Sequence, residues 1–295
     1  MADELHVHDQ RDLERPIMIT AFRGWNDGGQ GASLAASYLA RLWDADRIAE
    51  IEPEDFFDFQ ATRPHVKLVD GLTRQIDWPE TAFYAARPEG YDRDVVLLLG
   101  VEPNLRWQTF TGLIVDFAQQ LGVELVVTLG SLLADVPHTR ETPVTGSATD
   151  PELVQRLGLQ ASRYEGPTGI VGVLHDFCRR EDLPSVSLWA AVPHYVSLTP
   201  SPRAALALCE RLGSLLDSDI DVGELREASE GYVEQVSRAV ASDADTQAYV
   251  EDLEERADEI DEADLPSGEA LAAELTRFLR ERDRENGPPD AATEQ

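Results

Sequence analysis

Asp94-Val95-Val96-Leu97-Leu98-Leu99-Gly100 is the stretch that decides the fold. Its uninterrupted apolar run is that of a central strand buried on both faces, and such a strand needs helices above and below it. Upstream, Pro16-Ile17-Met18-Ile19-Thr20-Ala21-Phe22 reads as a second buried strand that runs into glycines. A helix follows over 29–43, where Leu34, Tyr38, Leu39 and Leu42 recur at helical spacing. The segment 47–51 reads as a strand, and 65–76 as a strand or hairpin turning at Asp70-Gly71.

Downstream, a helix over 107–121 stops at Gly122 before a strand at 124–129. A long loop, 131–150, holds His138 and Gly146; a short helix is expected at 151–157. Gly166-Pro167-Thr168-Gly169 then opens a helix to Arg180, and 185–191 reads as a strand. Strands alternating with helices imply right-handed crossovers, so the expected class is α/β: a three-layer α/β/α sandwich around a mostly parallel central sheet. Ser201-Pro202 starts a helix to about Leu216, and beyond it only helical patterns follow, over 223–240, 246–259 and 268–282. The expected organisation is a flexible N-terminus at 1–14, an α/β core at 15–216, an acidic C-terminal helical region at 217–284 and a disordered tail at 285–295.

Charge and composition exclude several partners. With 295 residues, 42% hydrophobic content and a formal net charge of −31, the chain can bury a large core but has little to offer phosphates. Nucleic acid and anionic membrane are therefore not expected partners. No apolar run approaches the roughly 20 residues of a membrane span, and Met1-Ala2-Asp3-Glu4 has no signal-peptide character, so a cytoplasmic location is expected. From Asp217 onward, 25 acidic residues face 7 basic ones, and the run 251–264 reads as a solvated face. Cys178 and Cys209 lie in helical patterns and read as buried thiols.

In an open α/β sheet, ligands bind beyond the carboxyl ends of parallel strands. Four loops lie there. The first, Arg23-Gly24-Trp25-Asn26-Asp27-Gly28-Gly29-Gln30-Gly31, could present backbone amides to an anion or could be a turn whose Asn and Asp cap the next helix. Its spacing matches neither a dinucleotide fingerprint nor a Walker loop. Gly100-Val101-Glu102-Pro103-Asn104 follows the central strand, and Asp135-Val136-Pro137-His138-Thr139-Arg140 follows the next. The latter offers an acid, a base and an anion clamp, or a polar loop that satisfies itself. Pro193-His194-Tyr195 closes the set. The expected ligand-binding cleft is thus Arg23, Trp25, Asn26, Asp27, Glu102, Asn104, His138, Arg140, Thr168 and His194. Neither metal-ligand spacing nor a nucleophile elbow is present, so no cofactor or metal is expected, and catalysis is permitted but not indicated.

Gly24-Trp25-Asn26-Asp27, Ala134-Asp135-Val136-Pro137-His138-Thr139-Arg140, Pro143-Val144-Thr145-Gly146, Tyr164-Glu165-Gly166-Pro167-Thr168-Gly169-Ile170 and Trp189-Ala190-Ala191-Val192-Pro193-His194-Tyr195 together resemble the actinobacterial branch of the proteasome assembly chaperone 2 family. The resemblance spans roughly residues 15 to 265. It implies a core related in fold to nucleoside phosphorylases and hydrolases, a helical region and a homo-oligomer. For eukaryotic and archaeal relatives it implies a role in assembling the proteasome α-ring. Such relatives often finish in a hydrophobic residue, Tyr and any residue, whereas this chain finishes Ala292-Thr293-Glu294-Gln295. The expected function is a non-enzymatic assembly chaperone or scaffold, with itself and proteasome subunits as partners. The alternative is an enzyme or small-ligand binder that takes a nucleoside-like or anionic metabolite in the cleft.

Overall fold

The structure, a computed structural model, describes residues 4–149 and 165–264. The expected elements at 151–157 and 268–282 and the tail at 285–295 lie outside the described residues.

Ten strands are described: β1 Leu5–Val7, β2 Ile17–Arg23, β3 Asp46–Ile51, β4 His65–Val69, β5 Thr73–Asp77, β6 Thr81–Ala86, β7 Val95–Val101, β8 Leu125–Ala134, β9 Val144–Ala148 and β10 Ser185–Pro193. Eight form one sheet in the order β1-β3-β6-β7-β2-β8-β10-β9, and β4 and β5 form a separate hairpin. The centre, β7-β2-β8-β10, is parallel throughout. Antiparallel strands extend it on both sides, β6, β3 and β1 beyond β7 and β9 beyond β10.

The continuous apolar runs divide by twos between two cores, as the pleat requires. Ile17, Ile19 and Ala21 of β2 and Val95 and Leu97 of β7 join the core under helices α1, Gly31–Leu42, and α4, Pro202–Leu216. Met18 and Phe22 of β2 and Val96 and Leu98 of β7 join the opposite core, under α2, Trp107–Gln120, and α3, Ile170–Arg180. Helices on both faces of the sheet make the three-layer α/β/α sandwich. Ser201 caps α4 as its spacing predicts, its Oγ accepting from the Ala204 N–H at 3.3 Å, with Pro202 in the first turn. Cys178 and Cys209 are buried free thiols, one in each core.

Beyond α4, α5 (Gly223–Val240) packs on α4, and α6 (Ala244–Asp264) follows. Tyr232, Val236 and Val240 of α5 and Val250 of α6 form a third, small core, packed against Tyr195, Val196 and Leu198 of the loop after β10. The C-terminal helices are therefore seated on the strand-end loops.

Four strands differ from expectation. Fraying, expected over 1–14, does not describe Leu5–Val7, which pair with Ala49–Ile51 at the sheet edge. The loop expected over 131–150 shortens because β8 runs on to Ala134 and Val144–Ala148 pairs with β10. β6 carries no advance signal in its Thr-Ala-Phe-Tyr-Ala-Ala sequence, and its ladder partners β3 and β7 supply the order.

Candidate functional site

The polar residues at the strand ends sort into three ties. Glu102, just past β7, is the centre of the first. Its Oε2 accepts the Trp25 backbone N–H at 3.1 Å, and its Oε1 accepts Asn26 Nδ2 at 2.8 Å and the Ile170 backbone N–H at 2.9 Å. One carboxylate thus joins the β2 loop, the β7 end and the first turn of α3, where the helix dipole favours a negative charge. Two glycines make room for it. Gly24 has φ +138°, and a Cβ there would lie 2.9 Å from Glu102 Cβ; at Gly169 a Cβ would lie 2.6 Å from Glu102 Oε1 and 2.4 Å from the Asn26 amide.

Asp27, itself buried, is the centre of the second. Its Oδ1 accepts the N–H groups of Ala32 at 3.0 Å and Ser33 at 3.1 Å, and its Oδ2 accepts Ser33 Oγ at 2.6 Å. Ser131 Oγ of β8 adds a bond at 3.3 Å to Oδ1. Asp27 therefore caps α1 and pins it to the adjacent strand.

His138 anchors the third. It is 2% exposed, and Tyr195 O–H lies 2.8 Å from both its backbone nitrogen and Nδ1. The phenol oxygen accepts from the His138 backbone N–H, the same hydroxyl pairs with Nδ1, and Nε2 pairs with Ser237 Oγ of α5 at 2.9 Å. Burial holds the imidazole below its usual pKa of 6.5 and Arg203 adds to this, while Glu254 opposes it. Thr139 bonds Glu254 of α6, and Arg140 grips Asp258 bidentately at 2.7 and 2.8 Å, which holds that carboxyl below its ordinary range. His194 Nδ1 sits 3.1 Å from Asp135 Oδ1, and its ring packs edge-on against Tyr195 and Tyr249 with centroids 5.9 and 5.6 Å away. The loop offering acid, base and clamp is thus the dock for the C-terminal helices.

The remaining expected site residues lie elsewhere. Asn104 Oδ1 accepts from the Asp58 N–H and Thr62 Oγ1, both at 3.0 Å, and holds the loop after β3. Trp25 and Thr168 are exposed. Arg23 is exposed at a cleft of about 400 Å³ whose other walls include Ser33 and Ser37 of α1 and Glu80 and Tyr84 beside β6 and β7; none of the other nine lines it. Among the described residues, no group of three or more His, Cys, Asp or Glu side chains could hold a metal. No described helix is long and apolar enough to cross a membrane.

Several partners in these ties were not legible in advance: Ser131, Tyr195, Ser237, Glu254 and Asp258. Glu254 and Asp258 fall in the acidic run expected to be solvated, yet their i, i+4 spacing puts both on one side of α6, toward Thr139 and Arg140. The same strand ends also show apolar side chains. Trp25 is 64% exposed and Leu133 is 56% exposed, with Leu105 and Leu132 also open.

The model of the PAC2 family matches residues 21–240. The chain belongs to the PAC2 family. Among solved structures, a PAC2 family protein from Streptomyces avermitilis is 47% identical with a TM-score of 0.74, covering 80% of this chain and 99% of its own. A Mycobacterium tuberculosis proteasome-assembly chaperone homologue is 44% identical with a TM-score of 0.74, covering 79% and 99%. A Pyrococcus furiosus archaeal proteasome activator shares the fold, with a TM-score of 0.64 at 19% identity over 80% of this chain and 97% of its own. No curated protein matches. In this PAC2 chain Glu102, Asp27 and the buried His138 all have hydrogen-bond partners within the fold.

Proposed function

We propose that this chain is an assembly chaperone or scaffold that works in the cytoplasm through protein contact, with proteasome subunits as its partners. The observation that carries this is the engagement of Glu102, Asp27 and His138 in internal hydrogen bonds at the end of the sheet where Trp25 and Leu133 stand exposed. Acid–base chemistry needs groups within reach of a substrate proton, whereas protein contact needs exposed aromatic and aliphatic anchors. The PAC2 membership and the likeness to a proteasome-assembly chaperone homologue support the partner. Mixing the purified chain with separated proteasome α subunits tests it. The expected result is a stable complex or a changed rate of α-ring assembly; an unchanged binding state together with an unchanged rate removes the proposal. A second reading, binding of an anionic or nucleoside-like metabolite, is favoured by the cleft beside Arg23.

A further inference from the structure

The cleft beside Arg23 is one end of a longer groove. A second cavity, of about 820 Å³, shares Leu34, Ser37 and Pro200 with it as walls, so the two are continuous. The groove lies between α1 and α5, which both pack on α4. Leu34 and Tyr38 line it from α1, and Leu225 and Tyr232 from α5. At one end the helices are tied together, because the Tyr38 hydroxyl donates to the Asp221 carbonyl at 2.8 Å and Arg41 meets Glu224 at 2.6 Å. At the other end stands Arg23. The wall along α1, residues 30–41, is about 16 Å long at about 1.5 Å per residue, the reach of about five residues of extended chain.

Two features identify the chemistry of its occupant. Gly231 stands in the interior of α5 and lines the groove, and a Cβ there would meet nothing within 4 Å. Packing within the chain therefore does not call for glycine at this position, and glycine weakens a helix interior. What its bare backbone provides is room for another chain to approach closely. Arg23 is exposed and makes no hydrogen bond or ion pair with a described residue. The carboxylates nearest to it are already engaged, Glu80 with Arg47 and Asp77 with Lys67, each at 2.5 Å. In a chain whose net charge is −31, an unpaired cation at the mouth of an apolar groove selects an acidic group.

We infer that the groove between α1 and α5 binds an extended segment of a partner protein, with an acidic side chain on Arg23 and apolar side chains between the two helices. A lone anion reaches only Arg23, so affinity comes from the apolar length of the groove. The site goes beyond the proposed chaperone function and is tested without proteasome subunits, so the two stand or fall separately.

Selection of a displayed library of random seven-residue peptides on the full chain tests it. Peptides with Asp or Glu beside apolar residues should be enriched, and the same selection on Arg23→Glu should lose the acidic preference. Fluorescence anisotropy of an enriched peptide then compares the wild type with Gly231→Leu. The leucine fills the groove but favours the helix, so the melting temperature of this variant should not fall, while its affinity for the peptide should drop at least about tenfold. No enrichment, an acidic preference that survives Arg23→Glu, or equal affinity for Gly231→Leu each overturns the inference.

Discussion

At the residue scale, single carboxylates join elements that are far apart in the chain. Glu102 joins positions 25, 26 and 170, and Asp27 joins positions 32, 33 and 131. Removing either leaves backbone N–H groups without a partner, and an unsatisfied buried donor costs about 1–3 kcal/mol. Asp27→Ala is therefore expected to lower stability by about 2 kcal/mol and the melting temperature by several degrees, with Glu102→Ala similar. Thermal unfolding followed by circular dichroism checks both; melting temperatures within a degree of wild type would contradict the structural role. The residue types were legible in the sequence, down to the option that Asp27 caps a helix. What they bond to was not, because Ser131 and Ile170 reach these carboxylates through sheet order and crossover packing, which no local spacing records.

At the element scale, the C-terminal helices are fastened to the core through His138, Thr139 and Arg140. Burial favours the neutral imidazole, in which one ring nitrogen donates and the other accepts between Tyr195 and Ser237. Because burial lowers its pKa in the folded state, the unfolded chain binds the extra proton more readily. The stability it contributes is present above about 6.5 and is lost as pH falls from there toward the lowered value. Between pH 7.5 and 5.5, the protection of amides in α5 and α6 relative to their intrinsic exchange rates is expected to fall more than in α2, and the pH-dependent part should shrink in His138→Gln. An equal loss of protection in all three helices, or an unchanged response in the variant, would contradict it. Most elements were legible here: the uniform apolar runs of β2, β7 and β8 and the 3.6-residue periods of α1, α4 and α5 carry strong signals. β9, with Thr-Gly-Ser at its centre, and the three-residue β1 carry none, since edge strands are ordered by the neighbour they pair with.

At the scale of the whole molecule, two cores flank a sheet whose parallel centre was read from a handful of apolar residues, while its antiparallel margins came from segments with weak patterns. Of the residues expected to line a cleft at the strand ends, Asp27, Glu102 and His138 are held in internal ties bordered by exposed apolar side chains, and Arg23 stands at a cleft. These polar loops hold the fold together, which under the proposed function leaves the surrounding surface to protein contact. A thermal-shift titration of the purified chain with nucleosides, sugar phosphates and small carboxylates tests it most directly, because a ligand specific for the native state raises its stability as concentration rises. The melting temperature is expected to stay constant up to millimolar ligand, whereas a saturable rise that is abolished by Arg23→Ala would contradict the claim.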